Sequence, residues 1–188
     1  MVGGKVYSLR ANDNGNSLHG GGKTGWANKV YDVKAKTDSS AVFTITSPDG
    51  DNGFPGTVNA QVTYTVRRDN TLDIAFSATT DKETVVNMIN HSFFNLNGDP
   101  SRNGENQIMY VNADRFTPVD ASNIPIGDIV PVDGTPMDFR KAHALSEHIN
   151  DSSYGQIRNA KGYDHNWVLN TYKDGRGDDT SVAASLYS

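Results

Sequence analysis

The sequence predicts an all-β protein, a large antiparallel β-sandwich, and three observations carry that prediction. First, apolar and polar residues alternate twice in close succession. Val58, Ala60, Val62, Tyr64 and Val66 alternate with Asn59, Gln61, Thr63 and Thr65, and Leu72, Ile74, Phe76 and Ala78 resume the period after Arg67-Arg68-Asp69-Asn70. Two period-two runs joined by a short polar link are the pattern of a hairpin with one buried face. Second, helical periodicity is scarce. Third, 18 glycines and several polar connections break the chain into short segments, as sandwiches require.

The other elements follow in order. Val42-Phe43-Thr44-Ile45-Thr46 reads as a strand closed by the turn Ser47-Pro48-Asp49-Gly50. Further strands are expected over 85–89, 107–113, 165–169 and 182–186. One short helix is expected over 141–149, where Ala142, Leu145 and Ile149 share a side at helical spacing and Asp138 stands near its start. The prolines and glycines of 113–139 mark a structured connection of several turns. The polar stretch 173–179 reads as an exposed loop. No linker or repeat divides the chain, so a single domain over 1–188 is expected.

Composition narrows the function. The 188 residues are 36% hydrophobic and 21% charged, within the range of folded soluble chains. A net charge of −5, with no basic cluster beyond Arg67-Arg68, speaks against a nucleic-acid partner. No apolar run is long enough to span a membrane, and the start has no signal-peptide pattern. There is no cysteine, which removes thiol chemistry and thiolate metal sites. These features favour a cytoplasmic chain, although the lack of cysteine alone leaves the compartment open.

Three segments stand apart from the strand pattern. Asn16-Ser17-Leu18-His19-Gly20-Gly21-Gly22 sets a histidine before three glycines, which lets the backbone pass close to a ligand. The bland alternative is a flexible loop. Asn87-Met88-Ile89-Asn90-His91-Ser92-Phe93-Phe94 crowds asparagines, a histidine and aromatics together. Asn90 is suited to orienting the imidazole or meeting hydroxyls, and Phe94 to covering an apolar ring face. A core strand with a silent histidine would look the same. Gly162-Tyr163-Asp164-His165-Asn166-Trp167 offers a carboxylate able to accept from adjacent hydroxyls; its alternative is a plain turn. His143 and His148 are five apart rather than the four of helical metal pairs, so no metal site is expected.

Taken together, these segments resemble the signature series of the aldose 1-epimerase family. Asn16-Ser17-Leu18-His19-Gly20-Gly21 is similar to its Asn-x-Leu-His-Gly-Gly loop, and Gly25-Trp26 to the Gly-aromatic step that follows. Ser47-Pro48-Asp49-Gly50 with Gly53-Phe54-Pro55-Gly56 matches its Ser-x-Asp-Gly…Gly-Tyr/Phe-Pro-Gly segment. Asn90-His91-Ser92-Phe93-Phe94-Asn95-Leu96 matches Asn-His-x-Tyr/Phe-Phe-Asn-Leu. The 114–120 stretch, Gly134-Thr135-Pro136-Met137-Asp138-Phe139 and Gly162-Tyr163-Asp164-His165-Asn166 complete the series in family order.

The resemblance implies a galactose mutarotase-like supersandwich that interconverts the α and β anomers of a free aldose, galactose or glucose, without a cofactor or metal. It implies that His91 is the general acid at the ring oxygen, that His19 contacts the sugar near the anomeric centre, and that Asp164 binds hydroxyls. The resemblance covers the central portion of the family pattern. The Glu-Thr-Gln segment that carries the family's general base, and an N-terminal Gly-Arg-x-x-Asn-Arg segment, have no counterpart here. Glu83, Glu105 and Glu147, the only glutamates, lie in other contexts. We therefore expect an apparent fragment, incomplete at both ends, with sheet edges open to self-association. A positioned general base contributes about 10²–10⁴-fold, so its absence leaves a second reading open, a non-catalytic carbohydrate-binding β-sandwich.

Overall fold

The computed structural model describes residues 1–173, 175–178 and 180–188. The loop expected over 173–179 includes Asp174 and Asp179, which lie outside the described residues. The backbone gathers into two compact units, Met1–Ser92 and Phe93–Ser188.

The first unit is built on one antiparallel sheet of four strands in chain order: β1 (Asp32–Lys36), β2 (Ser40–Ser47), β3 (Val58–Val66) and β4 (Leu72–Thr80). The expected hairpin is β3–β4. Its register pairs Val58 with Thr80, Val62 with Phe76 and Val66 with Leu72. Asn70, at φ +66°, closes the link, where the Arg67 amide donates to the Thr71 carbonyl at 2.8 Å. Register also aligns Ile45 with Ala60 and Ala60 with Ala78, so alternate residues of neighbouring strands share a face. That face buries Ile45, Val58 and Ala60 against Trp26, Tyr31 and Met88.

The second unit carries two three-stranded antiparallel sheets. Its strands are β5 (Ile108–Val111), β6 (Ala113–Thr117), β7 (Val130–Pro131), β8 (His143–Ala144), β9 (Asn166–Leu169) and β10 (Ala184–Tyr187). They assemble in the orders β10-β5-β8 and β7-β6-β9. β5 and β6 are nearly continuous, so one stretch of chain serves both sheets. Phe116, Val132, Met137 and Ile157 form one buried cluster, and Val111, Ala113 and Phe139 another. Tyr163 and Trp167 pack on both. Their polar tips are satisfied: Tyr163 Oη donates to the Pro136 carbonyl and Trp167 Nε1 to the Met137 carbonyl, each at 3.0 Å.

The all-β, antiparallel prediction holds, and three local expectations change. Residues 85–89 form no strand. Their β-branched side chains supply propensity, but a strand also needs a partner edge, and β4 here pairs only with β3. The helix expected over 141–149 is replaced by β8 and a single 3₁₀ turn, Leu145–Glu147. Pairing of His143 with Met109 and Ala144 with Ile108 overrides a weak helical period. Asp138 is no cap; its carboxylate accepts two hydrogen bonds from the Arg140 guanidinium, at 2.8 and 2.6 Å. The α-helix lies instead at α1 (Gly155–Ala160), with Ile157 its one buried residue.

Candidate active site

Three segments of the first unit build a cleft over the sheet. The first is the histidine–glycine loop. Asn12 clasps its entry: the Leu18 amide donates to Asn12 Oδ1 at 2.8 Å, and Asn12 Nδ2 donates to the Leu18 carbonyl at 3.0 Å. His19, Gly20, Gly21 and Gly22 then run at φ +50°, +70°, +128° and +59°. A chain of positive φ of this length needs glycine at most positions, which is why the triple glycine follows the histidine. Asn28 Nδ2 holds the exit by donating to the Gly22 carbonyl at 2.9 Å.

The second segment is the turn that follows β2. Asp49 accepts the Gly56 amide at 2.6 Å and pairs with Lys82, which fixes the return of the chain into β3. Asp51 pairs with Lys29 and accepts from Ser47 Oγ at 2.8 Å. Burial pushes the Asp51 carboxyl up, but hydrogen bonds from Lys29 and Ser47 and the lysine charge outweigh it. Its pKa therefore lies below the usual aspartate value.

The third segment runs over 82–92 and brings in His91. Here Asn90 acts as a bracket. Its Nδ2 donates to Tyr64 Oη on β3 at 3.2 Å, and its Oδ1 accepts the Ser92 amide at 3.1 Å. His91 is thereby set beside His19. The two rings meet edge to face, with centroids 4.9 Å apart and planes at 88°. They stand at a cleft of about 550 Å³ whose walls include Trp26, Tyr31, Phe54, Phe76 and Met88. This volume falls within the usual range of small-molecule sites, and the combination of apolar walls with a few polar groups is their usual chemistry.

The structure thus joins His19, His91 and Asn90 in one unit. Asp164 and Phe94 belong to the other. Asp164 precedes β9, and its Oδ2 accepts from Asn123 Nδ2 at 2.6 Å. His165, next to it, contacts Gln156 Oε1 through Nε2 at 3.2 Å. Gln156 Oε1 already accepts the Val119 amide at 2.7 Å, so Nε2 of His165 is the donor. Its Nδ1 then accepts the Asp164 amide at 3.3 Å. Burial lowers the His165 pKa against the opposing pull of Asp164, in keeping with this neutral tautomer. Phe94 is 65% exposed.

Asn12, Tyr64 and Asn123, which brace these residues, carry no signal in the sequence. Each is an ordinary turn or strand residue until its partner is known. Among the described residues no three His, Asp or Glu side chains gather as a metal site, and no helix is long and apolar enough to cross a membrane.

Fold and site together define an antiparallel all-β protein with a histidine pair at an aromatic-walled, small-molecule cleft. Comparison with known proteins is more specific. The aldose 1-epimerase family profile matches residues 1–186. The aldose 1-epimerase of Escherichia coli (strain K12) is 38% identical over 98% of this chain and 51% of its own length. The galactose mutarotase of Mus musculus is 39% identical over 92% of this chain and 48% of its own. Among solved structures, the galactose 1-epimerase from Lactobacillus acidophilus NCFM superposes with a TM-score of 0.83 at 31% identity, covering 99% of this chain and 52% of that one. The GalM/aldose epimerase homologue from C. elegans gives 0.84 at 28% identity, covering 99% and 53%. The chain belongs to the aldose 1-epimerase family. It spans about half the length of these relatives.

Proposed function

We propose that this chain carries the acid–base centre of an aldose 1-epimerase and interconverts the anomers of a free aldose such as galactose or glucose. The observation that carries the reading is the meeting of His19 and His91 at the cleft. Ring opening needs a proton delivered to the ring oxygen, which His91 supplies, while another leaves the anomeric hydroxyl for solvent water. The C1–O5 bond then breaks, the aldehyde turns about C1–C2, and reclosure on either face returns both protons. Imidazole is the side chain best suited to giving and retaking a proton near neutral pH. In this reading His91 serves the ring oxygen and His19 contacts the sugar near the anomeric carbon. The aromatic walls cover apolar sugar faces.

In the same proposal Asp164 accepts sugar hydroxyls and Phe94 offers an exposed ring face. Asn90 acts chiefly by holding the His91 segment to Tyr64. The name of the galactose mutarotase relative favours galactose as the first substrate to try.

Polarimetry of freshly dissolved α-D-galactose and α-D-glucose, with the chain and with His91→Ala, tests this. Acceleration that disappears in the variant is the expected result. Binding of galactose seen by saturation-transfer NMR, with no acceleration by the folded chain, would instead favour the carbohydrate-binding reading.

A further inference from the structure

We infer that Asn52 is a positioning residue for His19, resting on the reading above that His19 acts at the sugar. Asn52 lies in the turn after β2, remote in sequence from the histidine loop. It adopts φ +52°, a left-handed conformation that asparagine tolerates better than most residues. That conformation turns its side chain onto the loop. Nδ2 donates to the Thr24 carbonyl at 3.2 Å, and Oδ1 accepts from Thr24 Oγ1. Nδ2 also reaches Asp51 Oδ1 at 3.1 Å, and Asp51 is itself anchored by Lys29. The Asn52 carbonyl accepts the Arg10 amide at 3.3 Å.

The same amide fills the space beside Gly21. A β-carbon at position 21 would stand 2.4 Å from Asn52 Oδ1. The loop is thus fixed at two points, by contact at Gly21 and by paired hydrogen bonds at Thr24. Gly21 directly follows His19-Gly20, and Thr24 lies three residues further on. Three successive glycines would otherwise leave this stretch with the widest backbone freedom the chain has, at about 1–2 kcal/mol of conformational entropy per residue ordered. With Asn12 and Asn28 holding the entry and exit of the loop, the Asn52 side chain removes much of the remaining freedom and so fixes where the imidazole of His19 stands relative to His91. Reacting groups displaced by about 1 Å lose on the order of 10²-fold in rate.

The test uses the whole chain and the variants Asn52→Gly, Thr24→Val and Thr24→Ser. Glycine tolerates the positive φ at position 52 and removes the side chain, at the cost of added backbone freedom in the unfolded chain. Three quantities are read: the nuclear Overhauser effect between the His19 and His91 rings, kcat and KM for galactose by polarimetry, and urea stability. We expect Asn52→Gly to weaken or abolish the ring–ring effect and to lower kcat about tenfold or more, with KM within threefold. Thr24→Val should shift both in the same direction, and Thr24→Ser, which keeps the hydroxyl, should restore them. If Asn52→Gly does not fold, the threonine pair alone decides. A retained ring–ring effect with kcat within twofold of wild type overturns the inference. If the wild-type chain shows no turnover but the ring–ring effect is lost in the variants, the positioning role stands and the catalytic reading falls.

Discussion

Gly20 and Gly21 form a matched pair that isolates the contact with Asn52. Both have positive φ, +70° and +128°. A β-carbon at position 20 meets nothing within 4 Å, whereas at position 21 it meets Asn52 Oδ1 at 2.4 Å and Asn52 Cγ at 2.5 Å. Gly20→Ala therefore costs only the left-handed conformation, about 1–2 kcal/mol. Gly21→Ala costs a sparsely populated conformation, about 1–3 kcal/mol, and must also expel the Asn52 amide. That gives up its hydrogen bonds to Thr24, at about 0.5–1.5 kcal/mol each. The sum is about 2–6 kcal/mol, and its midpoint lies roughly 2.5 kcal/mol above that of Gly20→Ala. Urea denaturation followed by tryptophan fluorescence reads it directly, since Trp26 packs in this unit. The contact also makes the two positions non-additive. In an Asn52→Gly background, Gly21→Ala should cost only its conformational part. Equal destabilisation by both alanines, or an unchanged cost of Gly21→Ala in that background, would refute the contact as the reason for glycine at position 21.

Two further outcomes follow from the second unit. Phe116 is 0% exposed among Val132, Met137 and Ile157, so Phe116→Ala should lose about 3–5 kcal/mol, while Phe94→Ala at an exposed site should stay within about 0.5 kcal/mol; chemical denaturation compares them. Burial, with smaller contributions from Glu147 and Asp151, pushes the Tyr163 phenol up to about 12. Because the folded pKa is raised, the unfolded chain ionises first: the stabilisation is intact below about 10 and drains away between about 10 and 12. Tyr163→Phe should flatten that alkaline decline, and a phenolate absorbance titration should lose its latest-titrating tyrosine.

The β3–β4 hairpin is readable because apolar and polar residues alternate along both strands, with Ala75 the one break, and its link is polar. Burial on one side leaves a period-two trace in the sequence. Residues 85–89 carry the same β-branched composition but no paired edge, and composition alone does not report a partner. The short α1 leaves no trace in the sequence because six residues starting at glycine, with one buried side chain, are too few to show a period. The site divides in the same way. His19 and His91 were each singled out locally, and the family resemblance tied them to one reaction. Their approach to 4.9 Å depends on contacts between segments distant in sequence, and so does the bracing by Asn12, Asn52 and Tyr64. Phe94 and Asp164 are legible from residue type and from the family motifs that contain them, and neither signal reports the unit each falls in.

The strand orders differ in a way that bears on how the chain folds during synthesis. The first sheet is a meander in which each strand pairs with the one just before it, so it can zip up on the ribosome as residues 32–80 emerge. The second unit has no such luxury. β5 waits for β8 and then for β10, Ile108 pairing with Ala144 and with Tyr187, and β6, once paired with β7, still waits for β9 at Asn166–Leu169. Contacts this remote in sequence close slowly. Until they close, the nascent chain presents the open edges of β5 and β6 to whatever lies nearby, which is where a chaperone would be expected to hold it.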